Sequence, residues 1–132
     1  MKEGEFLILH TPGHSPGSIS LLFRPQSYSS KQPTPFQSES GTKASYPRGV
    51  LFTGDTYAWT TRDGGHMSGF PRYGNNLREQ AKTLEKLGGI LDQWDVIAPG
   101  HGHPRFYLDG KDERERKLSE LDDALQELKL CL

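Results

Sequence analysis

Val50-Leu51-Phe52-Thr53-Gly54-Asp55 is a short apolar run that stops at a glycine and then presents a carboxylate. A few β-branched and aromatic residues ended by glycine read as a buried strand, with Asp55 in the turn at its end. The same pattern occurs twice more. Glu5-Phe6-Leu7-Ile8-Leu9 runs into His10-Thr11-Pro12-Gly13-His14, and Asp95-Val96-Ile97-Ala98 breaks at Pro99-Gly100-His101-Gly102-His103-Pro104. Three predicted strands therefore each deliver an imidazole or a carboxylate through a glycine turn. Functional side chains gather at strand ends, where turns are free to vary.

Around these three segments the chain alternates between strand and helix patterns. Residues 18–23 (Ser-Ile-Ser-Leu-Leu-Phe) form a further strand between Pro16-Gly17 and Pro25. From Pro25 to Pro47 there are four prolines and no aliphatic residue larger than Ala44. Such a stretch buries too little to offset its ordering entropy, so residues 25–47 read as a flexible insertion in a single domain spanning 1–132. A loop rich in glycine and aromatics covers Tyr57 to Gly74. Asn75 or Asn76 then caps a helix with Leu77, Ala81, Leu84 and Leu87 on one face, ended by Gly88-Gly89. A second helix starts near Lys111, where Leu118, Leu121, Leu125, Leu128 and Leu132 recur at spacings of 3 and 4. That stripe reads as the face covering the sheet, with a dimer seam as the alternative. The class is α/β or α+β, with a short mixed sheet and about two helices.

Composition narrows the function. The 132 residues carry 16 basic against 17 acidic side chains, a formal charge of −1 that gives no field for nucleic acid or an anionic membrane. The run Phe6–Leu9 is far shorter than the roughly 20 residues of a membrane helix, and no export signal is read. The single cysteine, Cys131, forms neither an internal disulfide nor a thiolate cage. The chain thus reads as a cytoplasmic domain whose chemistry rests on histidines and carboxylates. Two imidazoles and a carboxylate are a familiar donor set for zinc, iron or manganese.

In its order, Thr11-Pro12-Gly13-His14-Ser15-Pro16-Gly17, then Leu51-Phe52-Thr53-Gly54-Asp55, then Ala98-Pro99-Gly100-His101-Gly102 resembles the second half of the metallo-β-lactamase superfamily. The match is nearest to its hydroxyacylglutathione hydrolase-like branch. The resemblance implies half of an αβ/βα sandwich and a metal-dependent hydrolase of ester, thioester or amide bonds in a small-molecule substrate. It also implies metal-ligand roles. His14 stands where the family completes its first metal site, Asp55 where a carboxylate bridges two metals and orients the nucleophile, and His101 where the second metal is held.

The family's upstream His-x-His-x-Asp-His motif does not occur in these residues. A hydrolytic zinc centre needs three protein ligands and an open position for water. Three ligands shared over two sites are expected to hold about one ion, weakly, without hydrolysis by the chain alone. A rival reading is a non-catalytic interaction or scaffold module. His10 is expected to pack or to bond a backbone carbonyl, His103 to be a surface or supporting group, and His66 to be either an exposed loop residue or part of a loop over the centre. Tyr57, Trp59, Phe70 and Tyr73 either line a pocket or cap the core. A sheet face contributed by Phe6, Ile8, Ile19, Leu21, Leu51 and Val96, or their alternate neighbours, is expected to be open. It would be covered by a second copy in a homo-oligomer or by an N-terminal half-domain.

Overall fold

A computed structural model describes residues 2–25, 47–73 and 76–132. Most of the predicted insertion at 25–47, and Asn75, lie outside the described residues. The fold is a mixed α/β domain. Its strands are β1 (Phe6–His10), β2 (Ile19–Phe23), β3 (Val50–Gly54), β4 (Ala58–Thr60), β5 (His66–Ser68), β6 (Val96–Pro99) and β7 (Arg105–Phe106). Its helices are α1 (Leu77–Gly89) and α2 (Lys111–Leu130). Five strands form one sheet in the order β1-β2-β3-β6-β7, and β4 pairs with β5 in a separate ribbon. Among the described residues only β3 and β6 run parallel; the other pairs are antiparallel. A parallel pair needs a crossover, and the ribbon and α1 supply it.

Asn76 opens α1 by accepting the Glu79 N–H on its side chain, as a capping asparagine should. Leu84 and Leu87 then bury fully, with Ala81 beside them. On α2 the buried residues are Lys117, Leu121, Ala124 and Leu128. Leu118 and Leu132 are exposed, so the predicted stripe is only partly a packing face. α2 packs on α1 and on β5. Leu22, Leu51 and Ile97 from the central strands meet these helices in the core, together with Trp94 and Tyr107.

Two elements are absent from the sequence reading. The Tyr57–Gly74 region is not a plain loop, because Ala58–Thr60 and His66–Ser68 pair as a ribbon. β7 adds an edge to β6 through only two residues. The expected open face also needs correction. The register pairs Leu51 with Leu22, on the side packed into the core, where both are fully buried. Val96 pairs with Val50 and Phe106 but is itself buried. Phe52 stands on the open side in place of Leu51, and Val96 lies on that side with Phe106 and Val50, although it is buried. Among the described residues, no helix is long and apolar enough to cross a membrane.

Candidate functional site

Helix α1 clamps the turn that follows β1. The Asn76 N–H donates to the Gly13 carbonyl (2.8 Å), the Thr83 hydroxyl to the Pro12 carbonyl (2.7 Å), and Lys86 Nζ to the His10 carbonyl (2.8 Å). Thr11 is buried and bonds Ser20 hydroxyl to hydroxyl at 2.9 Å. Gly13 has φ +140°, and a Cβ there would stand 2.4–2.6 Å from the backbone and Cβ of Gln80. Only glycine lets the turn lie this close to the helix. His14 leaves the turn one residue later.

The second turn begins at Gly54, whose φ is +56°. The Thr56 N–H closes it on the Thr53 carbonyl at 2.9 Å, and the Thr53 hydroxyl donates to the Tyr57 carbonyl at 2.6 Å. The third turn is tied to the second, since the Gly100 N–H donates to the Gly54 carbonyl at 2.8 Å. A Cβ on Gly100 would lie 3.3 Å from Asp55 Oδ1. The bare backbone leaves room for His101 beside that carboxylate.

These turns bring the three predicted site residues together. Asp55 has an imidazole against each of its oxygens: His101 Nδ1–H donates to Oδ1 at 2.5 Å, and His14 Nε2 stands 3.6 Å from Oδ2. His14 and Asp55 are partly sheltered, whereas the His101 side chain is 82% exposed. His14 Nδ1 is buried with no hydrogen-bond partner among the described residues. As the side chains stand, no group of three His, Cys, Asp or Glu among the described residues is arranged to hold a metal ion.

The other histidines lie elsewhere. His10 Nε2–H donates to the Pro16 carbonyl at 3.0 Å, as expected. His103 is exposed. His66 bonds the Met67 carbonyl through Nδ1 (3.0 Å) and faces Glu127 at 4.0 Å, while the Ser68 hydroxyl donates to Glu127 at 2.7 Å. Those contacts belong to the ribbon and the end of α2. They enclose a cleft of about 20 Å³, lined also by Phe70 and Tyr73, which is room for one water. Of the loop aromatics, Tyr57 is fully buried and Trp59 packs against the core.

Gln80 is the supporting residue that the sequence reading missed. It is fully buried on α1, and its Nε2 donates to the Gly69 carbonyl and, at 3.4 Å, to the Thr56 carbonyl. One side chain thus ties the turn after Asp55 to the residue that follows β5. The signal was present: Gln80 is a polar residue at a position of the stripe that includes Leu77, Ala81, Leu84 and Leu87.

A partly buried network reaches the segment after Asp55 through Arg105, whose guanidinium lies 4.5 Å from the Trp59 ring centroid. Tyr107 donates to Glu120 at 2.7 Å, and Arg105 reaches the same carboxylate with two N–H groups at 3.1 and 2.5 Å. Burial pushes the Tyr57 and Tyr107 hydroxyls well above their usual range. Burial alone would raise Glu120 too, but the hydrogen bonds from Arg105 and Tyr107 outweigh it and hold the carboxyl below its ordinary value. A depressed carboxylate stabilises the fold fully above its unfolded pKa of about 4.3 and loses that contribution as pH falls through the lower folded value. Glu120→Gln is therefore expected to flatten the acid limb of stability, read from urea midpoints across a pH series. An acid limb of unchanged steepness would exclude the link.

No family model matches the chain, and no curated protein or solved structure matches it.

Proposed function

We propose that this chain carries part of the centre of a metal-dependent hydrolase of the metallo-β-lactamase-like kind. Its ligands are His14, Asp55 and His101, and its substrate class is a small-molecule ester, thioester or amide. One observation supports this reading most: a single carboxylate with an imidazole on each oxygen, each group delivered from a different strand end. The donor set suits zinc, iron or manganese. The 3.6 Å between His14 and Asp55 is close to the ~3.4 Å that separates two ligands of one tetrahedral zinc. The 2.5 Å contact of His101 is a direct hydrogen bond, so accepting an ion requires that ring to turn outward, which its exposure permits.

A bound ion of this kind lowers the pKa of water and supplies hydroxide near neutral pH. The residues themselves fix the ion with His14 and His101 and hold Asp55 toward the nucleophile. A cytoplasmic setting belongs to the same proposal, supported by a composition that rests on histidine and carboxylate with a single cysteine.

Calorimetric titration of the metal-free chain with zinc tests the reading. The expected result is at most about one weak site, reduced at least ~10-fold by Asp55→Ala and unchanged by His103→Ala. Thioester and lactone probes should not turn over with the chain alone. Tight binding of two ions that survives Asp55→Ala would overturn it, whereas turnover lost on His101→Ala would mean that the centre is complete within this chain.

A further inference from the structure

Among the described residues, three buried side-chain polar atoms lack a hydrogen-bond partner, and two of them, His14 Nδ1 and Gln80 Oε1, lie on segments that touch. A Cβ on Gly13, the residue before His14, would stand 2.4 Å from Gln80 Cβ. The Gly13 carbonyl also takes the Asn76 N–H at the start of the same helix. From this contact the Gln80 amide reaches the Gly69 carbonyl and, at 3.4 Å, the Thr56 carbonyl. Thr56 adjoins Asp55, whose Oδ2 lies 3.6 Å from His14 Nε2. The Gln80 side chain therefore runs from the turn that carries His14 toward the turn that carries Asp55. It is fully buried, so bulk water does not satisfy its oxygen.

The orientation of the amide is fixed by its neighbours. Two carbonyl oxygens face Nε2, and a flipped amide would set Oε1 against both of them. Oε1 is thus the free end, and it can only accept. The free atom of His14 is its complement. A neutral imidazole carries one N–H, and a ring that offers Nε2 to an ion holds its proton on Nδ1. His14 then has a buried donor to place, and Gln80 has a buried acceptor to fill. Leaving either unmade is costly away from water.

We propose that Gln80 is a positioning residue for His14: its Oε1 accepts the Nδ1–H of the ring, directly or through one buried water, and so keeps the Nε2 lone pair available to a divalent cation. The inference rests on the reading of His14 as a ligand and adds the residue that selects the ring's tautomer. Gln80 itself touches neither ion nor substrate.

Two-bond proton–nitrogen NMR correlations on the metal-free full chain are the test. At about pH 8.5, where histidine is ordinarily neutral, they show which nitrogen of each ring is protonated. His14 is expected in the Nδ1–H form. His10, whose Nε2–H goes to Pro16, is the internal reference for the other form. Gln80→Met keeps a side chain of similar volume and removes the acceptor. It is expected to shift His14 to mainly Nε2–H, leave His10 unchanged, and weaken zinc binding about 10-fold. A wild-type His14 already in the Nε2–H form would overturn the assignment, and that result needs no variant. So would an unchanged His14 tautomer in folded Gln80→Met. A wild-type chain that shows the expected tautomer and its shift, yet takes up no zinc, would uphold the pairing and overturn the metal reading alone.

Discussion

Lys117→Met is expected to cost about 3–5 kcal/mol of stability, a large share of what a domain of this size has. The Lys117 ammonium is buried against the turn that precedes β6. It donates to the Leu91 carbonyl at 2.6 Å and the Trp94 carbonyl at 2.7 Å, and lies 3.9 Å from Asp95 Oδ1. Both charged side chains are 3% exposed. Methionine keeps the aliphatic stem, so the loss is confined to the ammonium, leaving two carbonyls and part of a carboxylate without their donor. Burial pushes Lys117 below the usual lysine range, against the pull of Asp95. Burial likewise raises Asp95, although Arg48 opposes this with its backbone N–H at 2.7 Å and its guanidinium. Each partner is thus desolvated and depends on its neighbours. Urea unfolding should show a lower midpoint at unchanged slope, and Asp95→Asn added to Lys117→Met should recover part of the loss. A midpoint shift worth less than about 0.5 kcal/mol would mean that the cluster contributes nothing net.

Gly13→Ala is expected to cost about 2–5 kcal/mol, combining a strained φ with a collision that the helix cannot relieve. The clashing atoms are the backbone N and Cα of Gln80 as well as its Cβ. The turn must therefore move away from α1, breaking the bond from the Asn76 N–H to the Gly13 carbonyl. His14 moves with it, so the same variant should weaken zinc binding. Gly17→Ala is the control, because a Cβ there meets nothing within 4 Å. Equal melting temperatures for the two variants would contradict the steric argument.

The sequence was most legible where one local rule decided the outcome. Val50–Asp55, the cap at Asn76 and the three glycine turns all follow from neighbours within a few residues. The meeting of His14, Asp55 and His101 followed from the resemblance and from their places at strand ends. The β4–β5 ribbon was illegible because each strand has three residues and its glycine-rich surroundings read as loop. Register was the harder failure. Leu51 and Phe52 are both apolar neighbours in a short run, so only pairing with Leu22 and Leu21 shows which one enters the core. Gln80 and Lys117 were visible as polar residues at apolar stripe positions, but their partners lie 11 to 26 residues away.

The parallel pairing of β3 with β6 also governs how the domain must fold. Asp55 and His101 are 46 residues apart, and they meet only after the chain has closed the whole crossover through the ribbon and α1. The β1–β2 hairpin needs no such long closure and is free to form early. Because long-range closure must be met before its contacts reward it, the imidazole–carboxylate cluster is expected to assemble after the β1–β2 hairpin.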